Sequence, residues 1–288
     1  MKTIRLLTLA LALLALTGTS IYAADANPSS KTNLVAASPI ATETKNIVME
    51  IQKAVKEGKR TEADLASHFQ KLDDLLAKHK NEKTDDVARI PYTKAMLYMQ
   101  ILDNPDKAIT LLEQVKRDFP ETKTAKGADT MVANIEKQKK AKEIQKSLAV
   151  GTKFPDFDEK DLAGKSLSIA NYKGKVVLVD FWATWCGPCV QELPNVLKTY
   201  QKHNKDGFEI IGVSLDRDEK KLKDFIEKEN MTWAQFYDGQ YWNNKLAQKY
   251  GINSIPMTYL LDGEGKIIGK SLRGEDLETA VVNALAKK

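Results

Sequence analysis

A length of 288 residues, with 42% hydrophobic and 29% charged residues, predicts one or two globular domains and excludes a disordered chain or a multi-span membrane protein. The 44 basic and 39 acidic residues leave a net charge of only +5, which argues against a nucleic-acid partner. Because there are only two cysteines, a disulfide scaffold, a four-cysteine zinc site and a cysteine-ligated iron–sulfur cluster are excluded within this chain.

The first segment, residues 1–24, has the layout of a secretory signal peptide. Lys2 and Arg5 precede an almost unbroken apolar run over residues 6–16, and small residues follow up to Ala24. The apolar run is shorter than the roughly 20 residues that a membrane span requires. We therefore predict a cleaved signal and a mature protein in the periplasm, an oxidising compartment, with an uncleaved N-terminal anchor as the alternative.

The next part of the chain is predicted to be a linker followed by helices. Residues 25–44 are largely Ala, Ser, Thr, Asn and Pro without periodicity, which indicates a flexible linker. Residues 45–148 carry apolar side chains at helical spacing and no convincing strand, so we predict an all-helical domain, with its third helix starting after Pro91. Residues 95–122, with their Asn104-Pro105-Asp106 turn, resemble one tetratricopeptide-type hairpin, which implies a surface for binding a partner protein.

From Gly151 onward short apolar strands alternate with amphipathic helices, a pattern typical of an α/β sheet. Residues 175–181 predict a central strand that is buried on both faces, followed by a helix over 188–204. The remaining predicted strands are 208–214, 233–237, 257–261 and 266–269, and the remaining helices are 219–229, 242–250 and 277–286.

Cys186 and Cys189 lie where the central strand gives way to a helix, separated by Gly187 and Pro188. Two thiols at this spacing can close a disulfide without unfolding the helix. Free N–H groups at a helix N-terminus stabilise an anion, which favours the thiolate of the first cysteine. Pro188 suits the first turn, where its missing N–H costs nothing. We assign Cys186 as the attacking sulfur and Cys189 as the resolving one.

Two other interpretations of the cysteine pair stay open. A zinc site would need ligands from His68, His79 and His203, none of which is paired at metal-binding spacing. An inert structural disulfide would close so short a loop that it would add little stability. We expect no metal and no cofactor, the redox-active Cys186–Cys189 disulfide being the only redox group.

Two motifs resemble thioredoxin. The active-site strand, turn and helix of thioredoxin are similar to residues 177–189, which read Val-Leu-Val-Asp-Phe-Trp-Ala-Thr-Trp-Cys-Gly-Pro-Cys. Residues 250–258 resemble the thioredoxin loop that contains a cis-proline. Three further segments are similar to the extracytoplasmic TlpA-like branch of the superfamily: 151–157, 167–175 and 214–250. The resemblance covers about 150–288 and implies an α/β thioredoxin fold, a mixed central sheet flanked by helices, preceded by the all-α helical-hairpin domain.

Asp180 interrupts the apolar strand six positions before Cys186. A desolvated carboxylate is costly, so its presence beneath a dithiol indicates proton transfer. The resemblance implies that Asp180 accepts the proton of Cys189 when that thiol attacks the mixed disulfide. The alternative is a strand-end aspartate that is hydrogen-bonded to the backbone.

The resemblance also implies which residues contact substrate. Pro256 would be the cis-proline facing the sulfurs, the alternative being an ordinary loop proline. Ile255 would offer its backbone groups to an extended substrate segment, and Trp185 would form an exposed aromatic shoulder for docking. Gly187 and Pro188 complete the predicted substrate-binding surface.

The resemblance implies a thiol–disulfide oxidoreductase that reduces protein disulfides, since Gly187-Pro188 is the dipeptide of thioredoxin itself. Its implied partners are disulfide-containing extracytoplasmic proteins and a membrane-embedded thiol reductase that donates electrons. One alternative is a thiol-dependent peroxidase of the peroxiredoxin type, for which Ala183 stands where a Thr is needed. The other is a binding module in which the helical domain recruits a partner.

Overall fold

The computed structural model describes residues 37–287, which form two compact units. The first ends at Lys137 and the second begins at Gln138, and each has a hydrophobic core of its own. The predicted signal peptide and most of the predicted linker lie outside the described residues. None of the helices within 37–287 is both long enough and apolar enough to cross a bilayer.

Five helices precede the first strand: α1 Pro39–Lys56, α2 Glu62–Lys78, α3 Asp85–Gln100, α4 Pro105–Asp118 and α5 Lys123–Ser147. The first four each begin after a capping side chain that accepts a hydrogen bond from the backbone N–H three residues on, which satisfies one donor of the first turn. The caps are Ser38, Thr61, Thr84 and Asn104. The predicted all-helical region is confirmed.

Two helix boundaries differ from the predictions. α1 begins inside the segment predicted as linker, because Ser38 caps it and Pro39 suits its first turn. α3 begins at Asp85, six residues before the proline expected to precede it. Pro91 lies inside the helix, where its ring is buried in the core, so packing offsets the hydrogen bond that its missing N–H removes.

The second unit contains a five-stranded mixed sheet in the order β5-β4-β3-β6-β7. In chain order its elements are the hairpin β1 Glu159–Lys160 and β2 Ser166–Leu167, then β3 Val176–Trp182, α6 Gly187–His203, β4 Phe208–Ser214, α7 Glu219–Lys228, β5 Ala234–Tyr237, α8 Lys245–Lys249, β6 Met257–Leu261, β7 Ile267–Lys270 and α9 Gly274–Leu285. β4 runs parallel to β3 and β5 to β4, whereas β6 and β7 pair antiparallel. The predicted thioredoxin fold is confirmed.

The small differences from prediction in this unit have local causes. The predicted helix over 242–250 is divided into a 3₁₀ turn, Tyr241–Asn243, and α8, because the Asn244 side chain accepts a hydrogen bond from Ala247 N at 3.0 Å and starts a new helix. The hairpin of β1 and β2 has two residues in each strand, too few to show a hydrophobic alternation in the sequence.

The last ten residues of α5 belong to the second unit. Gln145 donates from Nε2 to the backbone oxygen of Tyr250 at 2.7 Å and to Tyr259 Oη at 2.7 Å. Ile144 packs on the core of this unit, and Leu148, just after the helix, is fully buried in it. The end of α5 therefore supports the chain that leads from Tyr250 into the loop before β6.

The sheet brings two distant parts of the chain to one edge. β3 is central, and the cysteine pair follows its carboxyl end. β6 runs antiparallel to β3 and starts at Met257, which is paired with Phe181, so the residues just before β6 lie at that same edge. The cysteines and the loop ending at Pro256 are therefore neighbours although about seventy residues of sequence separate them.

Candidate active site

A disulfide bond joins Cys186 and Cys189, whose Cα atoms are 5.2 Å apart. Cys186 is the N-cap of α6, and its Sγ accepts a hydrogen bond from the Cys189 N–H at 3.3 Å. Such a position at the start of a 17-residue helix stabilises a thiolate on Cys186 once the bond is reduced. Cys186 and Cys189 are 5% and 6% exposed, next to Trp185, which is 45% exposed. The disulfide therefore lies just beneath an exposed rim.

Three of the four predicted catalytic residues meet at one small cavity, and the fourth, Cys186, is bonded to one of them. Asp180, Cys189 and Pro256 line a space of about 10 Å³ between β3, α6 and the loop before β6. The Ile255–Pro256 peptide bond is cis, the conformation that the resemblance implies. Ile255 is half-buried and packs on the core.

Asp180 is the one residue of β3 that keeps some accessible surface, and it lines this cavity. Burial raises the pKa of Asp180 to about 7; the nearby guanidinium of Arg273 acts to lower it, and the carboxylate of Glu192 raises it further. Among the described residues no donor hydrogen-bonds to the Asp180 carboxylate, which counts against the interpretation as a backbone-bonded strand-end aspartate. A carboxyl group with this pKa can take up or release a proton near neutral pH.

Two charged residues that line the cavity were missed by the sequence analysis. Glu192 lies on α6, and its Oε1 accepts a hydrogen bond from the Gly274 N–H at 2.6 Å, at the start of α9. Arg273 precedes Gly274 and donates to Pro256 O at 2.7 Å. Glu192 lies three residues after Cys189, so both residues are on the same face of the helix. This spacing in the sequence could have identified Glu192 as a candidate site residue. No local pattern connects Arg273 to a proline 17 residues earlier.

An aromatic rim lies beside the disulfide. The rings of Trp185 and Tyr241 are 4.9 Å apart, and the ring of Trp242 is 6.1 Å from Trp185. The Arg217 guanidinium lies over Tyr241, 4.4 Å from the ring centre. Tyr241 and Trp242 belong to the segment between β4 and β6 and were not singled out from the sequence. Trp182, in contrast, is buried and serves packing.

The geometry around the cysteines gives no support for a zinc site or for a peroxidase site. Within residues 37–287, no group of three His, Cys, Asp or Glu side chains is arranged to hold a metal ion. Ala183, where a peroxidase of the peroxiredoxin type needs a hydroxyl, is fully buried and carries none. Gly187 and Pro188 are exposed at the rim, as a substrate-binding surface requires.

The mixed sheet, the Cys-x-x-Cys disulfide at a helix N-terminus and the cis-proline at the same edge define a thioredoxin-type redox domain. Comparison with known proteins agrees with this class. The family model described as Redoxin matches residues 149–285.

Curated relatives match about half of the chain. Thiol-disulfide oxidoreductase ResA of Geobacillus thermodenitrificans is 33% identical over 152 residues, which cover 52% of this chain and 82% of the relative. The thioredoxin-like protein YneN of Bacillus subtilis is 37% identical over 120 residues, 41% of this chain and 68% of that protein. A crystal structure of the thioredoxin domain of a thiol-disulfide oxidoreductase from Bacteroides vulgatus is 42% identical, covers 48% of this chain and 98% of its own, and has a TM-score of 0.44.

The chain belongs to the family of ResA-like thiol-disulfide oxidoreductases, in the TlpA-like branch of the thioredoxin superfamily. It is a protein-disulfide oxidoreductase of the thioredoxin type.

Proposed function

We propose that the protein reduces disulfide bonds of extracytoplasmic proteins through a mixed disulfide on Cys186. The observation that carries the proposal is the N-cap position of Cys186 Sγ, with Cys189 bonded to it and lining a cavity together with Asp180 and the cis-proline. Gly187 and Pro188, the dipeptide of thioredoxin, support the reducing direction.

The first step uses the helix N-terminus. The Cys186 thiolate attacks one sulfur of the substrate cystine, so that a bond forms between Cys186 Sγ and that sulfur. The S–S bond of the substrate breaks, and its other sulfur leaves as a thiolate that takes a proton from solvent. The free N–H groups at the start of α6 stabilise the attacking thiolate.

The second step uses the cavity. Asp180, as a carboxylate, takes the proton of Cys189, whose sulfur attacks Cys186 Sγ. The mixed disulfide breaks, and the remaining substrate sulfur leaves as a thiolate and is protonated. Two electrons have then passed to the substrate, and the enzyme carries the Cys186–Cys189 disulfide. The shared cavity of Asp180 and Cys189 supports this assignment.

Substrate docking is assigned to the exposed groups around the disulfide. An extended segment that carries the cystine would pair with the backbone at Ile255 and be positioned by the cis-proline, Pro256. Trp185, with Tyr241 and Trp242 beside it, would cover the apolar side chains of that segment.

The signal-like segment 1–24 supports a periplasmic location, since it combines a basic start, a short apolar run and an alanine-rich exit. In that compartment the cytoplasmic NADPH-linked systems cannot reach the oxidised dithiol. A membrane-embedded thiol reductase would then supply the two electrons that restore the reduced enzyme.

A separate observation favours a partner-binding role for the helical region, which the sequence places at 45–148, ahead of a thioredoxin-like domain at 150–288. The region has its own hydrophobic core, and the family match begins only at residue 149. A folded unit that lies outside the family match is suited to selecting the protein on which the redox domain acts.

Cysteine variants test the reductase proposal. The reduced Cys189→Ser variant, mixed with a cystine-containing peptide, is expected to stop at a covalent adduct, because no second thiol can displace the product. Mass spectrometry should locate the bond at Cys186, and wild-type protein, the control, should release both peptide thiols. Full turnover by Cys186→Ser would contradict the assignment.

A further inference from the structure

Arg273 makes a forked contact with the loop that contains the cis-proline. Its Nη2 donates to the backbone oxygen of Pro256 at 2.7 Å. Its Nη1 donates to Thr258 Oγ1 at 3.0 Å and to the backbone oxygen of Leu272 at 2.6 Å. One guanidinium thus joins the residue before β6, the second residue of β6 and its own backbone, through charge-assisted bonds that are stronger than neutral ones.

Gly274, the residue after Arg273, is hydrogen-bonded to α6. The Gly274 N–H donates to Glu192 Oε1 at 2.6 Å, and Glu192 lies one turn after Cys189 on α6. The pair Arg273-Gly274 therefore connects the cis-proline loop to the helix that carries the dithiol. Both charged side chains line the same cavity as Cys189 and Pro256.

The chemistry of the Arg273 guanidinium suits it to hold the cis-proline loop in one position. A guanidinium is planar and always charged, and it presents several donors in fixed directions, whereas a lysine ammonium is a single flexible point of charge. With the Pro256 oxygen and the Thr258 hydroxyl both held, the backbone on each side of Met257 has little freedom. That backbone runs directly into Ile255, where an extended substrate segment would pair.

We propose that Arg273 is a positioning residue for disulfide exchange, which fixes the cis-proline loop in the orientation that binds an extended polypeptide substrate. The proposal rests on the proposed function, because it concerns how the same site recognises its substrate. Arg273 touches no reacting atom and acts through the backbone of Pro256. Its removal should therefore weaken binding of polypeptide disulfides, whereas loss of its charge, which acts to lower the pKa of Asp180, should affect the second exchange step to the same extent for every disulfide.

The test compares two disulfides of different size. The probes are a cystine-containing peptide of about ten residues, which can pair with the loop, and bis(2-hydroxyethyl) disulfide, which is too small to do so. For Arg273→Gln we expect KM for the peptide to rise about tenfold, as the loss of a charge-assisted hydrogen bond implies. Loss of the charge near Asp180 should change kcat by the same factor for both disulfides. KM for the small disulfide should change less than about twofold.

Two further variants make the result decisive. Arg273→Lys keeps the charge but not the fork, so KM for the peptide should rise by about threefold. Arg117→Gln, a matched loss of an arginine that is paired with Asp118 in the helical unit, should leave both KM values unchanged. An equal rise of KM for the two disulfides, or no rise for either, would overturn the proposal. If Arg273→Gln does not fold, Arg273→Lys alone tests the proposal. A KM for the peptide equal to that of the wild-type protein would then overturn the proposal.

The reductase proposal fails in a different way. If that proposal is wrong, the wild-type protein itself does not reduce the peptide disulfide. The positioning proposal fails only if the wild-type protein reduces the peptide and the Arg273 variants lack the expected changes in KM.

Discussion

The proposed role of Asp180 as a proton acceptor comes with a cost in stability. The ordinary pKa of an aspartate is 3.8, and burial raises the pKa of Asp180 to about 7 in the folded chain. The folded state therefore binds the proton more tightly than the unfolded state. The cost to stability is absent below about pH 4, grows as the pH rises and is fully present above about pH 7.

The substitution Asp180→Asn removes that cost. We expect the free energy of unfolding to rise by up to about 4 kcal/mol at pH 8 and to stay nearly unchanged at pH 4. All 4 tryptophans lie in the second unit, at positions 182, 185, 233 and 242, so tryptophan fluorescence during urea unfolding reports on that unit alone. Asp224→Asn, which changes an exposed carboxylate, is the control. Equal stabilisation at both pH values would argue against a buried carboxylate.

The same substitution separates the two steps of disulfide exchange. Without a carboxylate to take the Cys189 proton, resolution of the mixed disulfide should slow by about a hundredfold at pH 7. Formation of the mixed disulfide, which needs only Cys186, should change much less. Rapid-quench mass spectrometry can follow both steps with a peptide substrate, and equal slowing of the two would indicate a structural role.

Candidate site residues that lie within one motif could be singled out from the sequence. Cys186, Cys189 and Asp180 lie in a single strand–turn–helix segment, so local spacing and one out-of-place carboxylate made them candidates, and the resemblance to thioredoxin implied the role of Asp180. Arg273 and Tyr241 were not predictable, because each meets the site only after β6 and the segment between β4 and β6 have packed. A side chain whose role depends on tertiary packing leaves no periodicity to detect.

At the scale of elements, the contact between the end of α5 and the loop before β6 needs a glycine. Gly251 has a φ of +62°, and a Cβ at this position would lie 2.7 Å from the backbone oxygen of Ala141 in α5. The backbone conformation and the close approach both exclude a side chain there. The glycine thereby allows the helix end to lie directly against the start of the loop that leads to Pro256.

A pair of glycine variants separates the close contact from the backbone strain. Gly251→Ala should lower the free energy of unfolding of the second unit by about 3 kcal/mol, since it adds both a clash and a left-handed alanine. Gly164→Ala, with φ of +79° and open space around it, should cost only about 1 kcal/mol. Urea unfolding followed by tryptophan fluorescence measures both, and equal costs would show that the contact with α5 does not matter.

Element types were easier to predict than element boundaries. β4 was predicted to the residue because its apolar run is bounded by Gly207 and by polar residues. The sequence does not predict the start of α3, because a proline usually ends a helix, whereas burial of the Pro91 ring allows this helix to continue through it. The contacts at the end of α5 were not predicted, because Gln145 reaches Tyr250 and Tyr259 only once the second unit has folded.

At the scale of the whole molecule, the compact redox unit starts earlier than the family match. The match begins at residue 149, but the unit begins at Gln138 and uses Ile144, Gln145 and Leu148. A fragment 138–288 should therefore be more stable than a fragment 149–288 by about 3 kcal/mol, the sum expected from buried apolar area and the Gln145 hydrogen bonds. Thermal unfolding of the two fragments tests this, and equal stability would show that the helix end is dispensable.

The helical unit should matter for the partner and not for the chemistry. Full-length protein and fragment 138–288 are expected to reduce bis(2-hydroxyethyl) disulfide at rates within about twofold of each other, because the site lies wholly in the second unit. In cells, the Cys189→Ser fragment should capture fewer of the proteins that the full-length Cys189→Ser variant captures. Identical sets of captured proteins would remove the case for partner selection by the helices.

The most direct test of the account is the reactivity of the two thiols in reduced wild-type protein. Iodoacetamide at pH 7, followed by peptide mapping, should modify Cys186 at least about tenfold faster than Cys189, because only the N-cap sulfur is stabilised as a thiolate at the rim. Equal rates, or faster modification of Cys189, would contradict the assignment of Cys186 as the nucleophile and with it the mechanism of reduction.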